Sequence, residues 1–428
     1  MKAAFHTLGC KVNQCDTQAM MECFLRAGHE LVGFEDQADC YIINTCTVTA
    51  VSDKKSRQMI ARAHARQPAA LVVVAGCLAQ RDAQAALALP GVQLAVGNAE
   101  RGRIVELVEA ARSGQEHNAV AAWTSDVRFE ELPAYAEGKT RAMLKIQEGC
   151  NRYCSYCIIP YARGPLRSRS LPDILAEGAR LAGQGFQEFV LTGIHLSSYQ
   201  GARGEELLDV VAALAQLEGV ARIRLGSLEP VSITPAFAQA AANIPALCQQ
   251  FHLSLQSGCD ATLRRMNRRY TTDQFAQSVQ QLRQHMPGLA LTTDIIVGFP
   301  GETEEDFVVS REFVRQMAFS RIHVFPFSPR QGTPAASMPH PCAKPTKTRR
   351  AADMIALGEE LSRGYRQGLL GSVQQVLFEQ ETSNGGMQGL TDSYIQVSVP
   401  QKQPPNHLLP VRLLALQGEG MQGVVLNP

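Results

Sequence analysis

Two patterns of apolar residues alternate along the first part of the chain. Short unbroken apolar runs at 3–8, 41–44 and 71–75 have the length and composition of strands buried on both faces. Stretches at 14–26, 53–65 and 101–111 instead repeat apolar residues at helical spacing. This alternation predicts a small doubly wound α/β domain over residues 1–113. A polar, irregular stretch over 114–139 reads as a linker. A second series starts near residue 141, with strand-like segments at 142–147, 188–191, 221–225, 250–255, 290–297 and 321–327 separated by helical ones. Six βα units in series fit an open, partial barrel over 140–345 better than a closed eight-stranded one. A stretch rich in Pro, Ser and Lys at 328–347 marks a further boundary, and 346–370 reads as a helical connector. In the tail, 371–428, short alternating segments at 374–379, 394–399 and 408–414 predict a small antiparallel β-barrel.

Composition adds few surprises. Of 428 residues, 45% are hydrophobic and 19% charged, an ordinary globular balance. No apolar run approaches the roughly 20 residues needed to span a bilayer, and the first residues lack the apolar core of a signal peptide. The expectation is a cytoplasmic protein without membrane partners. A net charge of +1 rules out a chain that is basic throughout. Basic residues do gather locally, at Arg141, Lys145, Arg152, Arg163, Arg167 and Arg169, and again at Arg264, Arg265, Arg268 and Arg269. Either group serves as a solvated face or as a phosphate-contacting surface.

The twelve cysteines change the picture. Disulfides are rare in a reducing compartment, so metal or catalytic use is the better starting point. Cys15, Cys23, Cys40, Cys248, Cys259 and Cys342 read as ordinary small residues. Cys150, Cys154 and Cys157 follow the first barrel strand at CxxxCxxC spacing. A structural zinc site would need a fourth ligand, and neither another nearby Cys nor a His between His117 and His195 provides one. Three thiolates suit a [4Fe–4S] cluster with one iron left open to a small molecule. The spacing resembles the signature of the radical S-adenosylmethionine superfamily.

Cys10, Cys46 and Cys77 share another setting. Each stands just past a predicted parallel strand, where ligands of open α/β sheets usually bind. They read either as unrelated turn residues or as a second three-thiolate cluster site, and the shared setting favours the second.

Four segments together carry a family resemblance: TLGCKVNQ from Thr7, NTCTVT from Asn44, AGC from Ala75 and EGCNRYCSYCIIPYARG from Glu148. They resemble the methylthiotransferases over nearly the whole chain, and the Lys11-Val12-Asn13 start resembles the branch acting on N6-threonylcarbamoyladenosine. The resemblance implies a methylthiotransferase domain, a radical barrel and a C-terminal TRAM domain. It implies a radical cluster on Cys150, Cys154 and Cys157 and an auxiliary [4Fe–4S] cluster on Cys10, Cys46 and Cys77. It further implies use of two S-adenosylmethionine molecules to methylthiolate carbon 2 of the modified adenosine at position 37 of transfer RNA, with the anticodon loop as partner and an electron-donor protein. Gly193 and His195 after the second barrel strand, Ser227 and Glu229 after the third, and Gln256 after the fourth are candidate contacts to S-adenosylmethionine. Thr303 with Asp306 reads as a helix-capping pair. For RNA, Arg163, Arg167 and Arg169 are candidate phosphate contacts, and Tyr153, Tyr156 and Tyr161 candidate stacking residues. Two rival readings are a methylthiotransferase acting on a protein side chain and a non-enzymatic RNA-binding module with a structural metal.

Overall fold

The computed structural model describes residues 1–115, 117–133 and 140–426; residue 116, residues 134–139 of the expected linker and the last two positions lie outside it. The first sheet is parallel throughout. Its strands are β1 (Lys2–Thr7), β2 (Glu30–Val32), β3 (Cys40–Thr45), β4 (Leu71–Gly76), β5 (Val92–Val96) and β6 (Asn118–Ala119), in spatial order β2-β1-β3-β4-β5-β6. Alternate side chains serve its two faces. Ile42 and Val73 pack beneath helix α1 (Lys11–Arg26) and the helix Ile104–Arg112, whereas Ile43, Val72 and Val74 pack beneath α2 (Ala50–Arg66). Burial on both sides explains why β3 and β4 read as unbroken apolar runs. The strand order reverses between β1 and β3, which makes their C-terminal ends the natural binding edge.

β2, β5 and β6 are additions to the three strands expected. β6 arises within the stretch read as a linker, which also supplies Trp123 beneath Arg167, at 4.7 Å from guanidinium to ring centroid, and the acids Glu130 and Glu131. That stretch straps the first domain to the second.

The second unit has six principal parallel strands: β7 (Arg141–Lys145), β10 (Glu188–Thr192), β11 (Arg222–Leu225), β13 (Gln250–Leu253), β14 (Ala290–Val297) and β15 (Arg321–Pro326). Short strands accompany them: β8 (Gln147–Glu148) paired with β9 (Arg167–Ser168), and β12 (Ser227–Leu228) beside β13. They form two sheets, β11-β10-β7 and β12-β13-β14-β15, joined at an Ile223–Leu247 bridge, with β7 and β15 as outer strands. On β14, Leu291, Ile295 and Val297 join the core shared with the surrounding helices. Thr292, Asp294 and Ile296 face the opposite way, into the barrel lumen. Helix α1 of the first domain packs against β7.

The tail closes into a barrel of β16 (Val373–Glu381), β17 (Met387–Thr391), β18 (Gln396–Val399), β19 (Leu408–Gln417) and β20 (Gly420–Val425). Its pairings are antiparallel apart from β18 with β20, which run parallel and close the barrel. The helix Lys344–Gln367 connects it to the central unit. No helix among the described residues is long and apolar enough to cross a membrane.

Candidate functional site: two thiol trios facing one cavity

Cys10, Cys46 and Cys77 follow β1, β3 and β4, three adjacent strands. Cys10 caps α1, and Cys77 opens the short helix α3 (Cys77–Arg81). Two glycines allow the approach. Gly9 has φ +103°, and a Cβ there would stand 2.6 Å from Cys46 Cβ. Gly76 has φ +88°, and its Cβ would meet Asn44 Oδ1 at 2.3 Å. Side chains from the same motifs lace the turns together. Asn13 Nδ2 donates to Leu8 O (2.7 Å) and Thr45 O (2.9 Å); Asn44 Nδ2 donates to Asn13 O (2.9 Å) and Thr17 Oγ1 (2.9 Å). Thr45 Oγ1 donates to Ala75 O (2.7 Å) and accepts from Leu78 N (3.1 Å).

The three thiols feel one another. Burial pushes the Cys46 thiol up to about 11, and Cys77 and Cys10 add to the shift. Burial also raises Cys77, against the pull of Arg163. As free thiols Cys46 and Cys77 stay protonated; a bound metal takes cysteines as thiolates.

Cys150, Cys154 and Cys157 lie on one loop. It leaves β8 through Gly149 at φ +73°, where a Cβ would stand 1.9 Å from Pro165 O, so only glycine fits. Ser155 fastens the loop to the helix Asp260–Arg265: its N donates to Met266 O (3.0 Å) and its Oγ to Arg265 O (2.8 Å). Arg268 Nη1 donates to Cys154 Sγ at 3.1 Å. Burial, then Cys154, pushes Cys157 up to about 12, and burial raises Cys150.

Both trios fit the groups expected of them by donor chemistry. Within each trio the thiols are close enough to shift one another. Three thiolates are the donor set of a [4Fe–4S] cluster with one iron left open, whereas a structural zinc takes four ligands.

The trios share a neighbourhood. Asn98 Nδ2 donates to Ala162 O (2.8 Å), on the helix that follows Cys157, and lies 3.9 Å from Cys77 Sγ. A cavity of about 240 Å³ lies between the two domains; Val48 and Thr49 follow Cys46, Tyr156 precedes Cys157, and Gln256, Asp294 and Ile296 complete much of its lining.

Among the remaining candidates, Gly193 packs against Gln147, where a Cβ would stand 2.9 Å from Oε1. Gln147 Oε1 also accepts from His195 N (2.6 Å). His195 Nε2 lies 3.2 Å from Glu229 Oε2, which also pairs with Arg152 (2.6 Å), while Glu229 Oε1 pairs with Arg268 (3.3 Å). Burial pushes the Glu229 carboxyl up, but His195, Arg268 and Arg152 outweigh it and hold it below the usual range. The structure thus joins Gly193, His195 and Glu229 to Cys154 through Arg268. Gln256, at φ +67°, lines the cavity. Ser227 lies on the exposed face of β12, apart from that ion-pair chain.

Three expected phosphate contacts are corrected. Arg163, Arg167 and Arg169 are buried, with 0%, 7% and 8% exposure. Arg163 pairs with Asp16 (2.7 Å) and Glu148, Arg167 with Glu148 (3.3 Å), and Arg169 with Glu131 (2.7 Å) and Glu177. Arg101 and Lys145 join the same network on Asp16 and Glu148. A carboxylate sealed between domains must be neutralised, and these cations do so. Sequence reading missed Asp16 and Arg101 as interface residues; neither lies in a pattern that announces it. Tyr153 and Tyr161, in contrast, are exposed and meet edge to face at 5.9 Å, whereas Tyr156 packs on Phe299. Thr303 and Asp306 form the expected capping box.

Residues 2–97 match the model of the uncharacterized protein family UPF0004, and residues 144–314 that of the radical SAM superfamily. The chain is 42% identical to the threonylcarbamoyladenosine tRNA methylthiotransferase MtaB of Bacillus subtilis, covering 92% of this chain and 89% of that protein. It is 37% identical to MtaB of Aquifex aeolicus, covering 93% and 96%. It is 33% identical to the tRNA-2-methylthio-N(6)-dimethylallyladenosine synthase of Desulfosudis oleivorans, covering 91% and 85%. Among solved structures, the radical S-adenosylmethionine methyltransferase TsrM of Kitasatospora setae, with cobalamin and a [4Fe–4S] cluster bound, shares the fold at TM-score 0.58 and 17% identity, covering 78% and 77%. With its radical SAM segment, its two thiol trios and near full-length likeness to these relatives, the chain belongs to the radical S-adenosylmethionine tRNA methylthiotransferase family.

Proposed function

We propose that this protein methylthiolates carbon 2 of N6-threonylcarbamoyladenosine at position 37 of transfer RNA, in the anticodon loop. The observation that carries the reading is the pair of cysteine trios brought into one neighbourhood by Asn98, in a chain 42% identical to a threonylcarbamoyladenosine tRNA methylthiotransferase and 33% identical to a tRNA-2-methylthio-N(6)-dimethylallyladenosine synthase. Cys150, Cys154 and Cys157 would hold one [4Fe–4S] cluster, and Cys10, Cys46 and Cys77 a second. The chemistry supplied at the first is one-electron cleavage of the S-adenosylmethionine sulfonium to methionine and a 5′-deoxyadenosyl radical. One S-adenosylmethionine is consumed in this way, removing hydrogen from carbon 2. Another supplies the methyl group of the new methylthio substituent. A partner protein delivers the electron.

The chain's own residues position and shield. Glu229 and His195 would accept from the cosubstrate's ammonium, beside Gly193, against which Gln147 packs closely. Gln256 and Ser227 are the further cosubstrate candidates. Arg268 places a fixed positive charge against Cys154. Tyr156, Ile296, Phe325 and Phe327 on the cavity wall would shield a reactive carbon from water. Exposed Tyr153 and Tyr161 offer stacking surfaces to splayed loop bases.

Mass analysis of nucleosides from cells lacking the gene tests the reading. The 2-methylthio derivative of threonylcarbamoyladenosine should vanish and its unthiolated precursor accumulate. An unchanged nucleoside profile would refute the substrate. Anaerobic reconstitution should load about eight irons per chain; zinc in their place would refute the cofactor assignment.

A further inference from the structure

The barrel lumen carries polar groups that the proposed radical chemistry does not use. On its inner face His252 (β13), Thr292 and Asp294 (β14) and His323 (β15) stand side by side, in the registers His252↔Thr292 and Asp294↔His323. His252 Nδ1 bonds Thr292 Oγ1 at 3.0 Å. Its Nε2 is buried without a hydrogen-bond partner, 3.4 Å from Asp294 Oδ2. The two imidazoles lie 6.2 Å apart.

These residues connect two spaces. Asp294, Ile296 and Phe325 line the cavity of about 240 Å³, together with Val48 and Thr49 after Cys46 and Tyr156 before Cys157. One step down the same strands, Thr292 and His323 line a groove of about 480 Å³ that runs to Tyr394 of the tail barrel. Lys11, the residue after Cys10, places Nζ 5.8 Å from the Tyr394 ring centroid. Its charge also reaches His323, which is held below the ordinary histidine range by desolvation first, then by His252, Arg321 and Lys11 against Asp294. Three other cations are already paired: Arg141 with Glu379 (2.8 Å), Arg224 with Glu188 (2.9 Å) and Arg321 with Glu419 (3.2 Å); Arg363 and Arg366 also line the groove, Arg366 donating to Gly418 O (2.7 Å) and Gly420 O (3.0 Å). Lys11 makes no such pair among the described residues.

The lumen is therefore graded. In the cavity, Tyr156, Ile296, Phe325 and Phe327 suit a purine face, with Thr49, Gln256 and Ser328 also on the wall. At Asp294 it offers an acceptor for N–H groups. Beyond that it offers imidazoles, a hydroxyl and an ammonium, the groups that suit a hydroxy acid. A threonylcarbamoyl substituent presents this order from the purine outward: ureido N–H, then hydroxyl and carboxylate.

We propose that Lys11 and His323, with His252 and Thr292, form the subsite that receives the threonyl carboxylate and hydroxyl, and that Asp294 accepts from the ureido N–H. This deepens the substrate reading above and rests on it. The subsite sets specificity; the groups in it are not asked to take part in the radical steps.

Binding of three anticodon stem-loop RNAs to the iron-loaded protein tests the subsite. They carry at the target position threonylcarbamoyladenosine, its uncharged threonine carboxamide analogue, or plain adenosine. The native protein should bind the carboxylate RNA about tenfold more tightly than the carboxamide RNA, the scale of one charge-assisted hydrogen bond. Lys11→Gln and His323→Gln should each bring that ratio towards one, and Lys11→Arg should restore it. Equal affinity of the native protein for the carboxylate and carboxamide RNAs would overturn the subsite, as would variants that weaken all three RNAs alike, the mark of a phosphate contact. Iron content is measured alongside. His323→Gln, distant in sequence from every cysteine of the trios, decides the matter if Lys11→Gln disturbs iron binding near Cys10. Failure of the underlying reading shows separately, as absence of any 2-methylthio product from the native protein.

Discussion

Cys150, Cys154 and Cys157 lie within one loop, while Cys10, Cys46 and Cys77 come from three βα turns far apart in the chain. The first trio depends on local geometry: a left-handed Gly149, a loop fastened by Ser155, and Arg268 against Cys154. The second depends on the register of β1, β3 and β4, on Gly9 pressed against Cys46, and on Asn13, Asn44 and Thr45 tying one turn to the next. A site made by a loop can survive small shifts in the surrounding fold. A site made by a sheet edge shares the fate of the domain that carries the sheet.

The sharpest separation of the two trios uses one substitution in each. Cys154→Ala should reduce 5′-deoxyadenosine formation to background. Cys46→Ala should leave that reaction running while abolishing the 2-methylthio product; chromatography of both products on one sample reads the difference. Loss of 5′-deoxyadenosine in both, with the fold intact by circular dichroism, contradicts the division of labour.

Next in size is the seam between the two regions. Arg163→Ala would strip Asp16 and Glu148 of one buried charge-assisted partner while Arg101, Lys145 and Arg167 remain, at a cost of roughly 1–3 kcal/mol. Thermal unfolding should move sharply downward, and a melting temperature within a degree or so of the native one would show the network to be dispensable.

Arg268→Gln probes the loop-built trio more gently. Removing a partner that orients a metal ligand typically costs about 10–100-fold in affinity or activity. The cluster's absorbance and reduction potential should change while the auxiliary iron stays in place. A variant slower in turnover but unaltered in both would assign Arg268 to Glu229 alone.

Gly9→Ala acts on the sheet-built trio. The residue would have to hold φ near +103° with its Cβ inside Cys46, so reconstitution should yield about four irons instead of about eight. Full loading would mean that the turn relaxes freely. Smallest is Tyr161→Ala, which should weaken RNA binding by about tenfold, within the range for one lost base stack, and leave iron content alone.

Much of this was legible in the sequence because each feature has a short-range physical signature. Burial on both faces writes β3 and β4 as apolar runs, and a loop that holds a cluster writes its thiols at fixed spacing. The cysteines past the strand ends gain meaning because parallel strands end along one edge. Short or half-exposed strands left weaker marks: β2 has three residues and β6 two, and neither is apolar enough to stand out. The basic residues after Cys157 misled for a related reason. Sequence shows that Arg163, Arg167 and Arg169 are charged, but not that Asp16, Glu148, Glu131 and Glu177 meet them in the interior.

The sequence by itself determined the three folded units, the six cysteines to examine and the kind of chemistry they suit, since periodicity and ligand spacing are properties of neighbours along the chain. Only the tertiary structure decided which charges are sealed at the domain seam, that Arg268 reaches Cys154, and that Lys11 from the first domain stands over Tyr394, which lines the same groove as His323. Those outcomes depend on the docking of surfaces that are remote in sequence. Ion pairing and burial act through space, and residue order carries no record of them.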